Sequence, residues 1–546
     1  MGHIAEGLER QRFDLVVIGA GINGAAVARD AAMRGLRVLL LDKGDVGSGT
    51  TGWSSRLIHG GLRYLEHFEI PLVRESLRER ERLLRTAPHL VRPLAFLIPI
   101  YERSRRGPAT IRAGMTLYDL LSFDKSLERH HMLSRDEVLA REPGLNPDRL
   151  KGAARYWDAQ VRYVERLALE NALSARRHGA VVATYARVDG FLQDGNAVRG
   201  VRFTDVRAGT GHSVQAAVTV NAGGPWVDQV LGGLDREAGR LMGGTKGSHL
   251  VVDPFPGAPR EALYTEAVKD GRPYFILPWN ERYLIGTTDL RYDGDLDEVV
   301  ASDEEIDYLV SETNAVIPAA GLSAQQVLFT YAGVRPLPYA PEGKEGAITR
   351  SHIVHDHEPE LRGLLSLVGG KITTYRQLAQ ETVDDVFEKL GRKSPKCRTA
   401  DIPLPGATAQ DFESFADAFA ATSGLPETAA RRLVHIYGTR AVEVMDLADD
   451  DPLLRAPVTP ETQAIGAEVV FGFRHELAAT LADVLMRRTM AGLEPGCGVG
   501  VDRAAADIAM RHLCWDEDRA ESEVRDFRAY VKRFRAPVEL TVAEQR

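Results

Sequence analysis

Cysteine is scarce in this chain of 546 residues, which contains only three. Cys397, Cys497 and Cys514 all lie in the last third, without a C-x-x-C pair or a spacing typical of metal ligands. A disulfide-rich extracellular scaffold is therefore excluded. The composition favours reduced, buried thiols in a cytoplasmic protein.

Long apolar runs are also missing, since nowhere do 18 apolar residues follow one another, and residues 1–12 contain no apolar stretch. We expect neither a secretory signal nor a segment that crosses a bilayer. Positive charge is not in excess, because 77 acidic residues outnumber 68 basic ones and give a net charge of -9. This balance argues against nucleic acid as the main partner.

A glycine-rich turn follows an apolar segment near the start of the chain. Phe13–Gly24 reads FDLVVIGAGING, which predicts a buried parallel strand followed by three glycines at G-x-G-x-x-G spacing. A helix is predicted over Ala25–Arg34, and a second strand over Arg37–Leu41 runs into Asp42. An acid at that position accepts hydrogen bonds from an adenosine ribose, while the helix N-terminus binds the pyrophosphate. The pattern therefore predicts a dinucleotide site.

Four later stretches share one design, in which an apolar strand is joined to a glycine and to Lys, Arg, Thr or Tyr side chains. They are Lys246–Val252, Tyr283–Asp289, Phe329–Leu337 and Leu364–Arg376. Enzymes of the α/β and α+β classes place their working groups at such strand ends. Lys371, which follows two glycines and precedes a helix, predicts a second anion or cofactor site.

The spacing of apolar residues changes along the chain. Ser134–His178 is predicted to be mostly helical, Tyr185–Val220 predicts a small β-meander, and Pro71–Ala87 predicts an exposed, charged helix. Proline and small polar residues mark a linker over 393–409. Beyond the linker, residues 410–546 predict a separate helical domain.

One segment suits attachment to a membrane surface. Leu90–Leu121 contains two apolar runs, LAFLIPIY and MTLYDLL. Between the two runs lie Arg103, Arg105, Arg106 and Arg112. Basic residues beside an apolar stripe are typical of an anionic lipid interface. The alternative, a solvated loop that leads into a core helix, is equally open.

Taken together, these stretches resemble one known family. VVIGAGINGA near the start, SSRLIHGGLRYLE from Ser54, NAGGPWVD from Asn221 and GGKITTYR from Gly369 are similar to the FAD-dependent, aerobic glycerol-3-phosphate dehydrogenases. KGSH, IGTTD, GVRPL and, in the helical tail, DVLMRRTMAG match as well, so the resemblance covers nearly the whole chain. The wider flavoprotein group includes D-amino acid and sarcosine oxidases. Where the family usually has Glu, this chain has Asp42.

The resemblance implies an α/β (α+β) flavoprotein with three parts. A Rossmann-like FAD-binding domain is expected to be discontinuous, over 12–90, 150–245 and 345–392. A substrate domain with an antiparallel sheet, like that of D-amino acid oxidase, is expected over 91–149 and 246–344. An all-α C-terminal domain follows the linker.

The resemblance also implies the positions of cofactor and substrate. FAD is expected to contact Gly19, Gly21, Gly24, Asp42, Thr50, Thr51, Ser54, Ser55, Gly60, Val188, Gly223, Gly369 and Gly370. The implied substrate is sn-glycerol 3-phosphate, surrounded by Arg63, Tyr64, His249, Arg335 and Lys371. The implied catalytic residues are His59, Arg63, Arg335 and Lys371.

Oxidation of a secondary alcohol requires transfer of a hydride from C2 to the flavin and of a proton to a base. Arg63 and Arg335 offer the permanent, fork-shaped charges that suit a dianionic phosphate. Histidine has a suitable pKa for the base, and His59 and His249 remain alternatives. No metal is expected, although His352, His355 and His357 crowd together in what looks like an exposed turn.

The main hypothesis is a dehydrogenase that forms dihydroxyacetone phosphate, passes electrons to membrane quinone and lies on the inner face of the cell membrane. The alternative is a glycerol-3-phosphate oxidase that uses oxygen and produces hydrogen peroxide. A second alternative is an FAD-binding scaffold without catalysis. A nicotinamide dehydrogenase is disfavoured because only one full nucleotide fingerprint is present. The oligomeric state is open, and a homodimer is one possibility.

Overall fold

A computed structural model describes residues 7–236, 238–341 and 348–535. Among these residues, no helix is long and apolar enough to cross a membrane. Residues 1–6, 237, 342–347 and 536–546 lie outside the described part of the chain, so the predicted segments 150–245, 246–344, 345–392 and 410–546 are described only in part.

The strands in chain order are β1 (Arg12–Ile18), β2 (Val38–Leu41), β3 (Leu57–Ile58), β4 (Val91–Tyr101), β5 (His131–Ser134), β6 (Leu150–Val161), β7 (Val181–Ala183), β8 (Ala186–Asp194), β9 (Ala197–Asp205), β10 (Thr210–Asn221), β11 (Thr245–Val252), β12 (Ala262–Glu266), β13 (Pro273–Trp279), β14 (Arg282–Gly286), β15 (Leu290–Arg291), β16 (Val327–Arg335), β17 (Ile353–Asp356) and β18 (Leu364–Val368). The α-helices are α1 (Ile22–Met33), α2 (Ile70–Thr86), α3 (Pro108–Leu121), α4 (Arg135–Arg141), α5 (Val164–Arg177), α6 (Val227–Leu231), α7 (Asp303–Val316), α8 (Tyr375–Lys389), α9 (Phe412–Thr422), α10 (Glu427–Tyr437), α11 (Ala441–Asp450), α12 (Gly466–His475), α13 (Leu481–Arg487), α14 (Val501–Leu513) and α15 (Glu517–Val531).

The first sheet has the order β17-β18-β10-β1-β2-β7, with β8 and β9 attached through β10. Its central strands β1 and β2 are apolar and buried on both faces, as parallel strands between helices require. Ile18 is paired in parallel with Leu41 on one side and with Asn221 on the other. The carboxyl ends of β1, β2 and β10 therefore meet at one edge of the sheet, where ligands of α/β folds bind. The predicted meander is confirmed, since β8, β9 and β10 pair antiparallel.

The second sheet has ten strands, in the order β15-β11-β14-β13-β12-β4-β6-β3, with β16 on β11 and β5 on β6. Its pairs are antiparallel except for β4 with β12. Together with the helical tail, the two sheets confirm the predicted fold class.

Strand β6 corrects two predictions. The region Ser134–His178 is not mostly helical, because Leu150–Val161 pairs with β4 along its whole length. The prediction followed the helical spacing of α5 too far towards the N-terminus. The boundary predicted at residue 150 also falls in the wrong place, since β6 belongs to the second sheet. We therefore propose that the second FAD-domain segment begins after Val161, with the remaining division as predicted.

Helix α2 corrects a further prediction, because it is not exposed all round. Glu79 and Arg80 on α2 are fully buried. Glu79 accepts hydrogen bonds from Arg376 of α8, and Arg80 donates to Asp158 of β6. The charged residues of this helix are therefore partly internal ion pairs and not only a solvated face.

The predicted C-terminal helices are present as α9–α15. Their buried side chains belong to the same hydrophobic cluster as Phe329 and Tyr331 of β16, so the helical region shares its core with the second sheet. The linker before them is fixed against the FAD domain, because the Leu404 amide donates to Thr86 O and the Gly406 amide donates to the Glu170 carboxylate. The prediction of buried thiols holds for Cys497 only. Cys397 is partly exposed and Cys514 is exposed.

Candidate active site

The glycine turn between β1 and α1 brings three backbone segments very close together. Gly19 has a φ of +101°, and a Cβ at this position would lie 2.6 Å from Ala222 O. A Cβ on Gly24 would lie 1.8 Å from Gly19 O. Only glycine fits at these positions, so the N-terminus of α1 remains open to a ligand.

Asp42 stands directly after β2 and is tied to the glycine turn. Its carboxylate accepts hydrogen bonds from the Ala20 amide at 2.5 Å and from the Gly44 amide at 2.8 Å. Burial raises the pKa of Asp42, and the two hydrogen bonds, which lower it, offset the rise only in part. Each carboxylate oxygen retains a further lone pair, so the side chain is still able to accept a ribose hydroxyl.

A single cavity of about 1400 Å³ runs from this turn to the second sheet. It brings together most of the predicted cofactor and substrate residues. Those in its wall are Gly19, Gly21, Asp42, Thr50, Thr51, Ser54, Ser55, His59, Arg63, Tyr64, Val188, Gly223, His249, Arg335, Gly370 and Lys371.

Three predicted cofactor residues lie behind the cavity wall instead of in it. Gly24 and Gly369 are packed against backbone, where a Cβ would approach Gly19 O and Ser351 O. Gly60 lies against Tyr118, whose hydroxyl accepts a hydrogen bond from the Gly60 amide. These glycines therefore shape the wall by allowing close packing.

All four predicted strand-end stretches contribute to the cavity. One wall residue from each stretch, in chain order, is Gly247, Thr287, Val334 and Ile372. Other residues of the wall carry no motif in the sequence and were missed, among them Arg272 and Arg350.

Several hydrogen bonds orient Arg335 in the cavity wall. Its guanidinium donates to Asp289 at 3.1 Å, to the Thr287 hydroxyl at 3.0 Å and to Thr288 O at 3.0 Å. The pKa of Arg335 is lowered to about 10, chiefly by burial. The negative charge of Asp289 raises this pKa, whereas the positive charge of Arg350 lowers it. Arg350 lies 3.8 Å from the same Asp289 carboxylate. Two guanidinium groups thus share one carboxylate, which leaves positive charge in excess.

The same charges converge on Tyr64. Burial raises the pKa of the Tyr64 phenol, and the positive charges of Arg350, Arg63 and Arg335 act against that rise. The Lys371 ammonium lies 4.5 Å from the centre of the Tyr64 ring. One pocket therefore holds three arginines and a lysine around a tyrosine, which is an arrangement that suits a small phosphate ester.

Lys371 is held at the start of the short 3-10 helix Ile372–Thr374. Its Nζ donates to the Ser76 hydroxyl at 2.8 Å. Burial lowers the pKa of Lys371 from 10.5 to about 7, with Asp158 and Glu75 opposing the change and Arg350 adding to it. A large fraction of this amine is therefore neutral at pH 7 and able to accept a proton.

The two histidine candidates are both neutral. Burial, together with the charges of Lys371 and Arg80, lowers the pKa of His59 to about 3. Burial also lowers the pKa of His249 well below its usual range. His249 Nε2 lies 2.9 Å from the Ser55 hydroxyl, and its ring stacks on Tyr331.

The histidines near residue 355 are engaged with other groups. His352 Nε2 lies 2.7 Å from Glu381, and His357 Nε2 lies 2.8 Å from the Ser366 hydroxyl. Within the described ranges, no group of three or more His, Cys, Asp or Glu side chains is arranged to hold a metal ion.

Comparison with known proteins identifies the family of the chain. Residues 14–376 match the family described as FAD dependent oxidoreductase. The chain belongs to the FAD-dependent oxidoreductase family. Residues 397–520 of this oxidoreductase match the C-terminal domain of alpha-glycerophosphate oxidase. These matches confirm the predicted resemblance and the predicted cofactor, FAD.

Relatives match the oxidoreductase over nearly its full length. A glycerol-3-phosphate dehydrogenase of Synechocystis is 47% identical in an alignment of 540 residues that covers 96% of this chain and 97% of the relative. An aerobic glycerol-3-phosphate dehydrogenase of Staphylococcus aureus is 34% identical and covers 89% of this chain and 88% of its own. The crystal structure of the glycerol-3-phosphate dehydrogenase from Bacillus halodurans with FAD superposes with a TM-score of 0.79, at 30% identity and 97% coverage of both chains.

The cavity of the oxidoreductase fits FAD by its own geometry. It offers a helix N-terminus with a glycine turn for the pyrophosphate and a carboxylate for the ribose. Two polar atoms of wall residues, Asn23 Oδ1 and Trp226 Nε1, are buried without a protein partner. Buried polar atoms are rarely left unpaired, so these two atoms are suited to a polar ligand.

Proposed function

We propose that this protein oxidises sn-glycerol 3-phosphate to dihydroxyacetone phosphate. The observation that carries the proposal is the cluster of Arg63, Arg335, Arg350 and Lys371 around Tyr64 in the wall of the cofactor cavity. The names of full-length relatives support the same substrate. When bound, FAD accepts a hydride from the carbon that carries the alcohol.

The arginines hold the phosphate in this proposal. Arg335 is oriented in advance by Thr287, Thr288 and Asp289, so little side-chain entropy is lost when the phosphate binds. Each charge-assisted hydrogen bond contributes roughly 1.5 to 3 kcal/mol. Glycerol lacks the phosphate and should therefore bind far more weakly.

Lys371 accepts the proton of the C2 hydroxyl in this proposal, and the two histidines do not. A base acts best when its pKa lies near the working pH. The pKa of Lys371 is about 7, whereas that of His59 is about 3 and that of His249 is also well below its usual range. We place His59 and His249 in the wall that shapes the substrate pocket.

Anaerobic mixing of the purified yellow protein with sn-glycerol 3-phosphate tests this function. The visible absorption of the flavin should bleach with this substrate, whereas glycerol and sn-glycerol 1-phosphate should leave it unchanged. A flavin that stays oxidised with every polyol phosphate would refute the substrate assignment and favour the non-catalytic scaffold.

We propose membrane quinone as the electron acceptor, at the inner face of the cell membrane. A glycerol-3-phosphate oxidase is the second candidate, because residues 397–520 match the C-terminal domain of alpha-glycerophosphate oxidase. The two functions differ in the fate of the electrons. Equal amounts of hydrogen peroxide and oxidised substrate would support the oxidase, and fast reoxidation by a quinone with little peroxide would support the dehydrogenase.

For contact with the membrane we propose an apolar patch formed by Phe68, Ile70, Leu117, Leu120 and Phe123. Phe68, Leu120 and Phe123 are 83%, 66% and 77% exposed. Such a group of exposed side chains is unusual on a free surface. Phe68 follows Tyr64 of the proposed substrate pocket by four residues, and we therefore propose that the membrane contact lies on the side of that pocket.

The membrane segment predicted from sequence is corrected by the structure. The run LAFLIPIY forms β4, whose residues Phe96, Leu97 and Ile100 are buried. Arg106 is paired with Glu266 at 3.6 Å. Only the helix α3 at the end of that segment contributes exposed apolar side chains to the patch.

Cosedimentation with vesicles that contain anionic lipid tests the patch. A triple variant, Phe68→Ser with Leu120→Ser and Phe123→Ser, should lose binding by more than about a hundredfold, because each buried apolar side chain contributes roughly 1.5 kcal/mol or more. Leu453→Ser is the matched control, since Leu453 is 70% exposed elsewhere. Equal binding of the triple variant and the control would exclude this surface.

A further inference from the structure

The C-terminal helical domain forms part of the cofactor cavity. Thr480, Ala482 and Arg487 from the region of α13 lie in its wall, as do Arg519 and Tyr530 from α15. Neither the glycine fingerprint nor the phosphate cluster accounts for these residues. The helical domain therefore has side chains positioned to contact a ligand in this cavity.

The first contact is a buried ion pair on the loop that follows β2. Asp45 accepts two hydrogen bonds from Arg488, at 2.6 and 2.8 Å, and one from Arg487 Nε at 2.6 Å. The exposed fractions of Asp45, Arg487 and Arg488 are 1%, 4% and 0%. Burial opposes the ionisation of Asp45, yet the two guanidinium groups hold its pKa below the usual range.

The same loop carries the residues expected to bind the adenosine half of FAD. Asp42 begins the loop, and its carboxylate accepts from the amides of Ala20 and Gly44. The Gly47 amide donates to Ala20 O at 3.1 Å. Asp45 therefore lies in the sequence between two residues, Asp42 and Gly47, that each form a hydrogen bond with Ala20 of the glycine turn. Fixing Asp45 in place therefore stabilises both hydrogen bonds.

The second observation concerns two buried polar atoms of the helical domain that have no hydrogen-bond partner in the protein. Arg487 uses Nε for Asp45 and Nη2 for Asp483, at 2.7 Å. Its Nη1 is buried and has no hydrogen-bond partner. The hydroxyl of Tyr530 is likewise buried without a partner. Because both side chains lie in the cavity wall, an acceptor or donor on the ligand would satisfy them.

We propose that the C-terminal helical domain is part of the FAD site. Arg488 and Arg487 position the adenosine-binding loop through Asp45, and Arg487 Nη1 and the Tyr530 hydroxyl bind polar atoms of the cofactor directly. Retention of FAD therefore depends on residues that lie more than 440 positions after the loop they hold.

Release of FAD from the holoenzyme tests this proposal. The holoenzymes of Arg487→Met, Tyr530→Phe and the wild type are diluted, and the rise of flavin fluorescence gives the dissociation rate. Arg487→Met should release FAD roughly ten to a hundred times faster, and Tyr530→Phe several times faster. The melting temperature is measured for each protein with and without added FAD, because tight binding to the folded state makes that difference larger.

Glu476→Gln is the matched control. Glu476 is a fully buried carboxylate of the helical domain that pairs with Arg166 of α5 and with Arg440. Its backbone oxygen accepts a hydrogen bond from Arg488 Nε, and the variant retains that bond because only the side chain changes. This variant should melt earlier and still retain FAD like the wild type. Wild-type release from Arg487→Met, or release from Glu476→Gln that is accelerated as strongly as from Arg487→Met, would overturn the proposal.

Tyr530→Phe keeps the proposal testable if Arg487→Met does not fold. It removes one hydroxyl that has no hydrogen-bond partner in the protein and leaves every ion pair in place, so the protein should fold normally. Faster FAD release with an unchanged melting temperature of the FAD-free protein would support a direct contact. Unchanged release would refute the contact from Tyr530.

Discussion

Replacing Lys371 with methionine should remove the ionisation that we expect to control flavin reduction. Burial lowers the pKa of Lys371 from 10.5 to about 7. About half of the molecules therefore carry a neutral amine at pH 7, compared with roughly one in 3,000 for an unperturbed lysine. Loss of a positioned base costs roughly a hundredfold to ten-thousandfold in rate.

The direction of the pH dependence follows from the pKa. The neutral amine is the active form, so kcat/KM should rise about tenfold per pH unit below pH 7 and level off above it. The phosphate of the substrate ionises near pH 6, which adds a separate step at about that pH. That step belongs to the substrate and should remain in every variant.

Anaerobic stopped-flow measurement of flavin reduction between about pH 5.5 and 9 gives these profiles. Lys371→Met should show only the substrate step near pH 6. Lys371→Arg is the matched control, because it retains the positive charge but does not become neutral in this range. A rise near pH 7 that persists in Lys371→Met would refute the assignment, as would a wild-type profile that still rises at the upper end of this pH range.

Two further variants test the proposed phosphate site and the glycine turn. Arg350→Met should raise the substrate concentration for half-maximal flavin reduction about ten- to a hundredfold, and an unchanged value would remove Arg350 from the phosphate site. Gly24→Ala should give protein without bound flavin, because its Cβ would lie 1.8 Å from Gly19 O. Gly114→Ala is the control and should retain the flavin, since no heavy atom lies within 4 Å of the new Cβ. The ratio of flavin absorbance to protein absorbance measures the bound flavin in both variants.

The predictable part of the fold and site consisted of short-range patterns. The glycine turn depends on residues within one strand–turn–helix unit, and the strand-end stretches such as Tyr283–Asp289 carry their own glycine and polar cluster. Each of these patterns is encoded within about fifteen residues. The cavity in turn contains representatives of all of them.

The missed part consisted of contacts between distant residues. Arg350 carries no motif, and its role follows only from its approach to Asp289 in space. The bonds from Arg488 to Asp45 join residues 443 positions apart, which no local pattern reveals. Strand β6 was missed for a related reason. Its pairing with β4 overrides a run of residues whose spacing also suits a helix.

The proposed phosphate site and the proposed proton acceptor form one electrostatic unit. The pKa of Lys371 is lowered first by burial and then by the charge of Arg350, which also shares Asp289 with Arg335. A phosphate dianion held by these arginines would cancel their repulsion and raise the pKa of the lysine. The amine would then hold a proton more strongly once the phosphate is in place, so the rate of flavin reduction at saturating substrate should follow a higher pKa than kcat/KM, which reports the free enzyme. Glycerol, which has no phosphate, would leave Lys371 a weaker base, so recognition of the phosphate and acceptance of the proton depend on the same charges.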